Sequence, residues 1–327
     1  MMTASRLAAG YAALLGVLVV IRLFVADRSA LLFALNSLFL YAFAPLPLVA
    51  LAGLVFRRLV FLAIALGGLL VWCGFWGELF LPRASTQRAE RRLVVLSYNA
   101  LGFNHDVNDT VHVIEDSGAD LVALQELNPE TAGVIERRLG TAYPYRWLDP
   151  RPGVTGGGIL SKLPFTREHS AALAGYWVGT PMVAAVDFSG TQFTFVRFHA
   201  VAGPALFRER EQQARALAAF ARARRGPLVL AGDLNATDQN RAYAIVAEQL
   251  RDAWRQAGWG FGHTFPGRPT AEVGGSRPVI LGLPVPLWLV RIDYVFHSDD
   301  LRTAATRLAL YGGASDHRGV VATLAFR

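Results

Sequence analysis

Leu228-Val229-Leu230-Ala231-Gly232-Asp233-Leu234-Asn235 joins an apolar run to a polar turn, and the architecture of the chain follows from that junction. Gly226-Pro227 ends the helix expected over Phe207 to Arg224, whose apolar side carries Leu217 and Phe220. Leu228 to Ala231 is then a buried strand. Taken alone, Asp233 and Asn235 do no more than build a turn. The same design recurs in both directions along the chain. The apolar run Leu93 to Tyr98 ends on Asn99, and Asp120 to Gln125 ends on Glu126. Gly157 to Ser161 is a strand entered through glycines, and Gln192 to His199 alternates as a strand that ends on a histidine. Ile292 to Phe296 carries Asp293, and Asp316-His317 precede a strand over Val320 to Phe326. A short helix over Val107 to Ser117 is closed by Gly118. Many strands with few helices argue for a layered sandwich with outer helices. Each polar residue has a plain structural reading: Asn99 as a turn former, Glu126 as a solvated strand end, His199 as a core histidine, Asp316-His317 as a cap.

The chain has 327 residues, 53% of them hydrophobic and only 17% charged. Soluble domains carry about a quarter charged residues, so part of this chain belongs in lipid. The apolar excess lies before Pro82. Leu7 to Val25 is interrupted only by Arg22, which can snorkel. Leu31 to Phe56 has no charge, and Pro45 and Pro47 suggest a kink. Leu59 to Leu81 has no charge until Glu78, with Trp72 and Trp76 placed as in an interfacial belt. A spanning helix needs roughly 20 apolar residues, so three transmembrane helices are expected. The first could be a signal peptide, but it lacks a small-residue cleavage site. The expected organisation is a membrane domain at 1–82, a linker at 83–92 and a catalytic domain at 93–327. The net charge of +7 includes five arginines before Arg83, offset by Asp27 and Glu78. The mildly basic remainder does not demand a nucleic-acid partner. Cys73 is the only cysteine, which excludes an intrachain disulfide.

In sequence order, Ser97-Tyr98-Asn99, Leu124-Gln125-Glu126, Gly158-Ile159-Leu160-Ser161, Phe198-His199, Gly232-Asp233-Leu234-Asn235, Arg291-Ile292-Asp293-Tyr294-Val295 and Ser315-Asp316-His317 resemble the endonuclease/exonuclease/phosphatase superfamily. The resemblance covers roughly Arg91 to Arg327, and it is the series rather than any single motif that is specific. That superfamily includes pancreatic deoxyribonuclease, abasic-site endonucleases, inositol-polyphosphate phosphatases and neutral sphingomyelinases. The resemblance implies a four-layer α/β sandwich of two packed mixed β-sheets with outer helices, its site at one end of the sheets.

Phosphoester hydrolysis needs charge neutralisation, an activated water and help for the leaving oxygen. Glu126 and Asp316, with the amide of Asn99, are hard oxygen donors suited to Mg²⁺ or Mn²⁺. His317 can take a proton from water, and the resemblance supplies Asp293 as the carboxylate that fixes its tautomer. Asp233 could orient the water and Asn235 could donate to a phosphate oxygen. His199 matches the superfamily's second histidine, which binds the phosphate or aids the leaving group. One departure is Arg197, where a small polar residue is common. Strand alternation puts it on the face of His199, so a phosphate contact is expected.

The substrate is less constrained. Fusion to apolar helices favours a substrate at the bilayer, and the apolar, proline-rich stretch Pro278 to Val290 runs straight into the Asp293 strand. It could dip into lipid and admit a lipid-linked phosphate, or pack on the protein. The chain resembles membrane-anchored bacterial members of the superfamily, some associated with glycopeptide resistance. Those imply a polyprenyl pyrophosphate substrate and a catalytic domain outside the inner membrane. Positive-inside counting is nearly balanced, with Arg57 and Arg58 opposed by Arg83, Arg88, Arg91 and Arg92. The alternatives are a membrane-tethered nuclease acting with the same residues and a non-catalytic membrane binding module, the latter disfavoured because every expected catalytic position is filled.

Overall fold

The computed structural model describes residues 2–81, 91–104, 106–267, 279–280, 282–311 and 314–327. Most of the expected linker and the start of the apolar 278–290 stretch fall outside them. α1 (Met2–Val20) continues through a π-helical turn, so that Ser5–Val25 is one apolar helix of 21 residues. α2 (Ala30–Ser37) and α3 (Leu46–Val55) follow, then α4 (Leu59–Trp76), which runs on to Phe80 as an apolar helix of 22 residues. The first and last are long enough to cross a bilayer.

Three spans were expected, the second kinked; the stretch between them is instead broken into two helices, which leaves two helices long enough to span and a third span only if the bent pair is one. Ala30–Ser37 and Phe39–Val55 are a helix pair bent by 58° at the break between them, the second opening with a 3-10 turn, Phe39–Phe43. Pro45 and Pro47 lack the N–H groups that would continue the helical ladder back through that turn. The end of α2 is also held by the strand-and-helix part of the chain, because Ser37 Oγ donates to Asn240 Oδ1 at 3.0 Å.

Beyond residue 90 the chain alternates strands and helices: β1 (Arg92–Asn99), α5 (Val107–Ser117), β2 (Leu121–Gln125), α6 (Pro129–Leu139), β3 (Tyr145–Asp149) and β4 (Gly157–Ser161). Then come β5 (Phe165–Glu168), β6 (Gly179–Phe188), β7 (Thr191–His199), α7 (Phe207–Ala223), β8 (Leu228–Asp233) and α8 (Arg241–Ala247). The chain closes with β9 (Arg251–Asp252), α9 (Ala253–Ala257), β10 (Val279–Ile280), β11 (Leu283–Pro284), β12 (Asp293–His297), β13 (Leu301–Leu308) and β14 (Val320–Phe326). One sheet has the order β13-β14-β1-β2-β4-β3, the other β5-β6-β7-β8-β12-β9, and β10-β11 form a separate hairpin. Both large sheets are mixed. β1 runs parallel to β2 and β7 to β8, and the remaining pairs are antiparallel.

Strand alternation gives each sheet two apolar faces. Leu93, Val95, Ala123 and Ile159 of the first sheet meet Ala184, Phe195, Val229 and Val295 of the second. On the outer face of the first, Leu96 and Val122 pack against Val111, Ile114 and Ile135 of α5 and α6. On the outer face of the second, Val196, Leu230 and Phe296 pack against Leu217, Phe220 and Val246 of α7 and α8. The result is the four-layer α/β sandwich. Phe33 of α2 is part of that last core, so one apolar helix of the N-terminal part is packed into the sandwich.

Candidate active site

Register alone collects the polar strand ends. In the second sheet His199 pairs with Asp233, and Asp233 with Asp293, so three strands set one row of titratable side chains. In the first sheet Asn99 pairs with Gln125, which places Glu126 at the same end. The amide of Asn99 bridges the two sheets: Nδ2 donates to Glu126 Oε1 at 2.9 Å and to Asp233 Oδ2 at 3.2 Å. Ser315 ties in the last segment. Its hydroxyl donates to the Asn99 carbonyl at 2.7 Å and accepts from His317 N at 3.0 Å.

Two of these residues hold backbones that side chains rarely adopt. Glu126 has φ 56° and Asn235 has φ 51°, in the left-handed region where asparagine is tolerated and glutamate is uncommon. Such strain persists where the surroundings over-determine it. Here Gly102 N donates to Glu126 Oε2 at 3.0 Å, and Asn235 N donates to Asp233 Oδ1 at 2.7 Å.

His317 is surrounded by three carboxylates. Its Nδ1 lies 2.8 Å from Asp293 Oδ2, and the ring nitrogen facing a carboxylate carries the proton. Nε2 is left as the basic atom, 3.9 Å from Asp316 Oδ1 and 4.0 Å from Asp233 Oδ2. Burial pulls the imidazole pKa down, but the charge and hydrogen bond of Asp293 outweigh it, with help from Asp316 and Asp233, and hold it well above the ordinary value. Burial and the neighbouring Asp293 push the Asp233 carboxyl up to about 7, against the pull of His317, Asn235 and Asn99. His199 is opposite in character. Burial, then the positive charges of Arg197 and His317, hold it well below its usual pKa. Its Nε2 lies 3.3 Å from Asn235 Nδ2.

Glu126 and Asp316 are the site carboxylates that reach solvent, with side chains 12% and 10% exposed. Burial raises Asp316 to about 6, and the negative charge of Glu126 adds to the rise. Two hard-oxygen donors that repel each other at the mouth of a polar site fit a divalent cation that keeps several waters. Asp233, Asp293 and His317 also have donor atoms within 4.8 Å of one another. That cluster is the poorer cation site, since His317 Nδ1 is engaged with Asp293 and both carboxylates are sealed from solvent.

Asn99 and Arg197 are both engaged by protein groups. Asn99 was expected to ligate the metal. Its Oδ1 accepts from Leu101 N at 3.1 Å, which leaves a second lone pair for a cation, and its Nδ2 orients Glu126 and Asp233. Arg197 was expected to touch phosphate. It does point inward beside His199, but it is only 1% exposed. Its guanidinium donates to the carbonyls of Leu124 at 2.6 Å, Gly156 at 2.9 Å and Thr180 at 3.3 Å. A Cβ on Gly157 would come within 2.3 Å of that guanidinium, so the glycine makes room for it. Arg197 is a tie between the sheets.

Sequence reasoning missed three supports. Phe265 packs on the His317 ring at 4.9 Å. Thr264 Oγ1 accepts from Ile292 N at 3.1 Å, beside Asp293. Asn128 caps α6 and donates to the carbonyls of Gly102 and Asn104, holding the loop that feeds Glu126. The Asn128-Pro129 pair was a readable helix start; the other two had no local signal. Of the histidines outside the motif series, His297 faces Gln256 and Thr303 and lies apart from the site.

A model described as the Endonuclease/Exonuclease/phosphatase family matches residues 96–317. The chain belongs to this family. It is accordingly a metal-dependent phosphoester hydrolase. Among solved structures, the endonuclease/exonuclease/phosphatase from Beutenbergia cavernae DSM 12333 is similar at 23% identity and TM-score 0.54, covering 72% of each chain. D. rerio TDP2 complexed with single-strand DNA product is 20% identical at TM-score 0.58, over 71% of this chain and 98% of that one. The family member from Bacteroides vulgatus is 17% identical at TM-score 0.53, over 73% and 100%. At these identities the likeness is one of fold. No curated protein sequence matches significantly.

Proposed function

We propose that this family member hydrolyses a phosphoester or pyrophosphate carried by a membrane lipid, such as polyprenyl pyrophosphate, at the membrane surface. Glu126 and Asp316, with the amide oxygen of Asn99, are assigned to a Mg²⁺ or Mn²⁺ ion, which when bound neutralises phosphate oxygens and opposes the rise in the His317 pKa. His317 Nε2 takes the proton of the attacking water, and Asp293 fixes the tautomer and stabilises the imidazolium. Asp233 orients that water. Asn235 offers its amide to a phosphate oxygen, and His199 stands beside it on the leaving-group side.

The observation that carries the lipid assignment is the seating of the apolar segments on the catalytic end. Tyr41 Oη donates to the Leu289 carbonyl at 2.6 Å. Leu289 belongs to the apolar stretch that leads into Asp293, and the hairpin within that stretch exposes Val279 (63%) and Leu283 (72%). Hydrocarbon and the reacting phosphate would then meet on one side of the protein. On this reading the catalytic domain lies outside the cytoplasm of a bacterial inner membrane, with the Arg57-Arg58 turn inside.

The test is a substrate panel of polyprenyl pyrophosphate, phosphatidyl lipids, sphingomyelin and plasmid DNA, assayed with the full chain in detergent with Mg²⁺ and Mn²⁺. A lipid-borne phosphate should be turned over fastest. Preference for DNA, with the steep salt dependence of a phosphate-backbone binder, would replace this reading with a membrane-tethered nuclease.

A further inference from the structure

Asp27 lies between the first apolar helix and α2, a place where sequence alone suggests only a charged membrane-boundary residue. It is 2% exposed. Its Oδ2 accepts from the backbone N–H of Arg241 at 2.7 Å, the first N–H of α8. Helix-start N–H groups have no intrahelical partner, and Asn240, at the N-cap of α8, supplies no side-chain cap of its own. Asp27 Oδ1 accepts from Asn36 Nδ2 at 2.7 Å and from Asn240 Nδ2 at 3.4 Å. Every partner of this carboxylate is a donor, and two of them belong to the sandwich.

Asn240 carries the effect towards the site. It is fully buried. Its Oδ1 accepts from Thr237 N and Oγ1, each at 2.8 Å, and from Ser37 Oγ, while its Nδ2 also donates to the Phe33 carbonyl at 3.1 Å. The segment so pinned, residues 236–240, directly follows Asn235 with its left-handed backbone. A second contact braces the adjoining loop. Phe33 lies under the guanidinium of Arg210 at 4.5 Å, and Arg210 donates to the carbonyls of Val201 and Gly203, just beyond His199. The two loops meet where Asn235 Nδ2 donates to the Ala200 carbonyl at 3.0 Å.

We propose that Asp27, with α2, is a positioning element of the active site: the second apolar stretch is a strut that sets the Asn235 loop from the membrane side. The inference rests on the reading of Asn235 as a phosphate-facing donor. It makes the membrane segment a working part of the enzyme as well as its anchor. A charge-assisted bond to a backbone N–H is about twice as strong as a neutral one. Asp27→Asn removes it and turns an amide N–H against donors, with little change in volume.

The experiment is a double-mutant cycle on the full chain in detergent, with Mn²⁺ and bis(p-nitrophenyl) phosphate, combining Asp27→Asn and Asn235→Ala. A small misplacement of a substrate-positioning group costs up to about a hundredfold, so Asp27→Asn is expected to lower kcat by about tenfold or more. In the Asn235→Ala background most of that loss should vanish, because the group being positioned is gone. A merely structural role would give the same fractional loss in both backgrounds, and that result overturns the proposal. If Asn235→Ala is itself harmless, the assignment of the site fails and this inference with it; if Asn235→Ala is damaging and the losses multiply, only this inference fails. Hydrogen exchange gives a readout independent of turnover. Asp27→Asn should speed exchange at residues 236–242 and leave β1 and β2 unchanged, and unchanged exchange at 236–242 also overturns the proposal.

Discussion

Replacing His317 tests the proton-transfer assignment most directly. Its Nδ1 is 2.8 Å from Asp293 Oδ2, with both side chains buried. At a charge separation of roughly 4 Å and an effective dielectric of about 20, the imidazolium formed in the reaction gains about 4 kcal/mol from that carboxylate. That corresponds to a factor of about a thousand in rate, inside the roughly 10²–10⁴-fold range of general acid–base assistance. His317→Ala should therefore lose about 10³-fold or more, and Asp293→Ala somewhat less, since the imidazole survives without its partner. Because the two act as one unit, the double variant should be little worse than His317→Ala. The assay is single-turnover hydrolysis of the best panel substrate, with folding checked by circular dichroism. A folded His317→Ala enzyme of near wild-type rate refutes the reasoning, and so does a double variant whose loss is the product of the two single losses.

Excess chelator should abolish turnover, and Glu126→Gln should remove most of it in a folded protein; full activity in chelator would end the metal assignment. Arg197→Met strands three carbonyls at about 1–3 kcal/mol each, offset by relief of a buried charge, so a net loss of about 3 kcal/mol is expected. Thermal melting should fall by several degrees with KM unchanged, whereas a raised KM at unchanged melting would restore Arg197 as a phosphate contact. Burial raises the Asp238 carboxyl, but Arg291 and Arg255 more than reverse this and leave it below its usual value. A depressed carboxylate stabilises the fold above about pH 4, and that stabilisation is lost as the pH falls through its folded-state value. Asp238→Asn should flatten the acid limb of a stability–pH curve, and a limb of unchanged steepness would remove Asp238 from the account. A reporter active only outside the cytoplasm should work when fused after Arg327; activity of a cytoplasm-only reporter there would invert the orientation.

Local chemistry already contained much of the fold. The helix over Val107–Ser117 was readable because its apolar face has helical spacing and Gly118 takes the left-handed closing position, φ 68°. The apolar runs ending on Asn99, Glu126, His199 and Asp233 were readable as strands because β structure shows its burial residue by residue. Their polar ends share one site because register is a consequence of which faces are apolar.

What chain-local pattern could not supply is the destination of a side chain or of an apolar segment. Alternation puts Arg197 on an inward face, but whether a guanidinium there meets phosphate or carbonyls depends on the facing strands, and Leu124, Gly156 and Thr180 decide it. Hydropathy makes Leu31 to Phe56 resemble one unbroken span, since lipid and the protein core that takes up Phe33 reward the same residues. Asp27, Asn36 and Ser37 turn that stretch into a strut only because Asn240 and Arg241, some 200 residues later, present the donors and acceptors that α2 and its flanking carboxylate need.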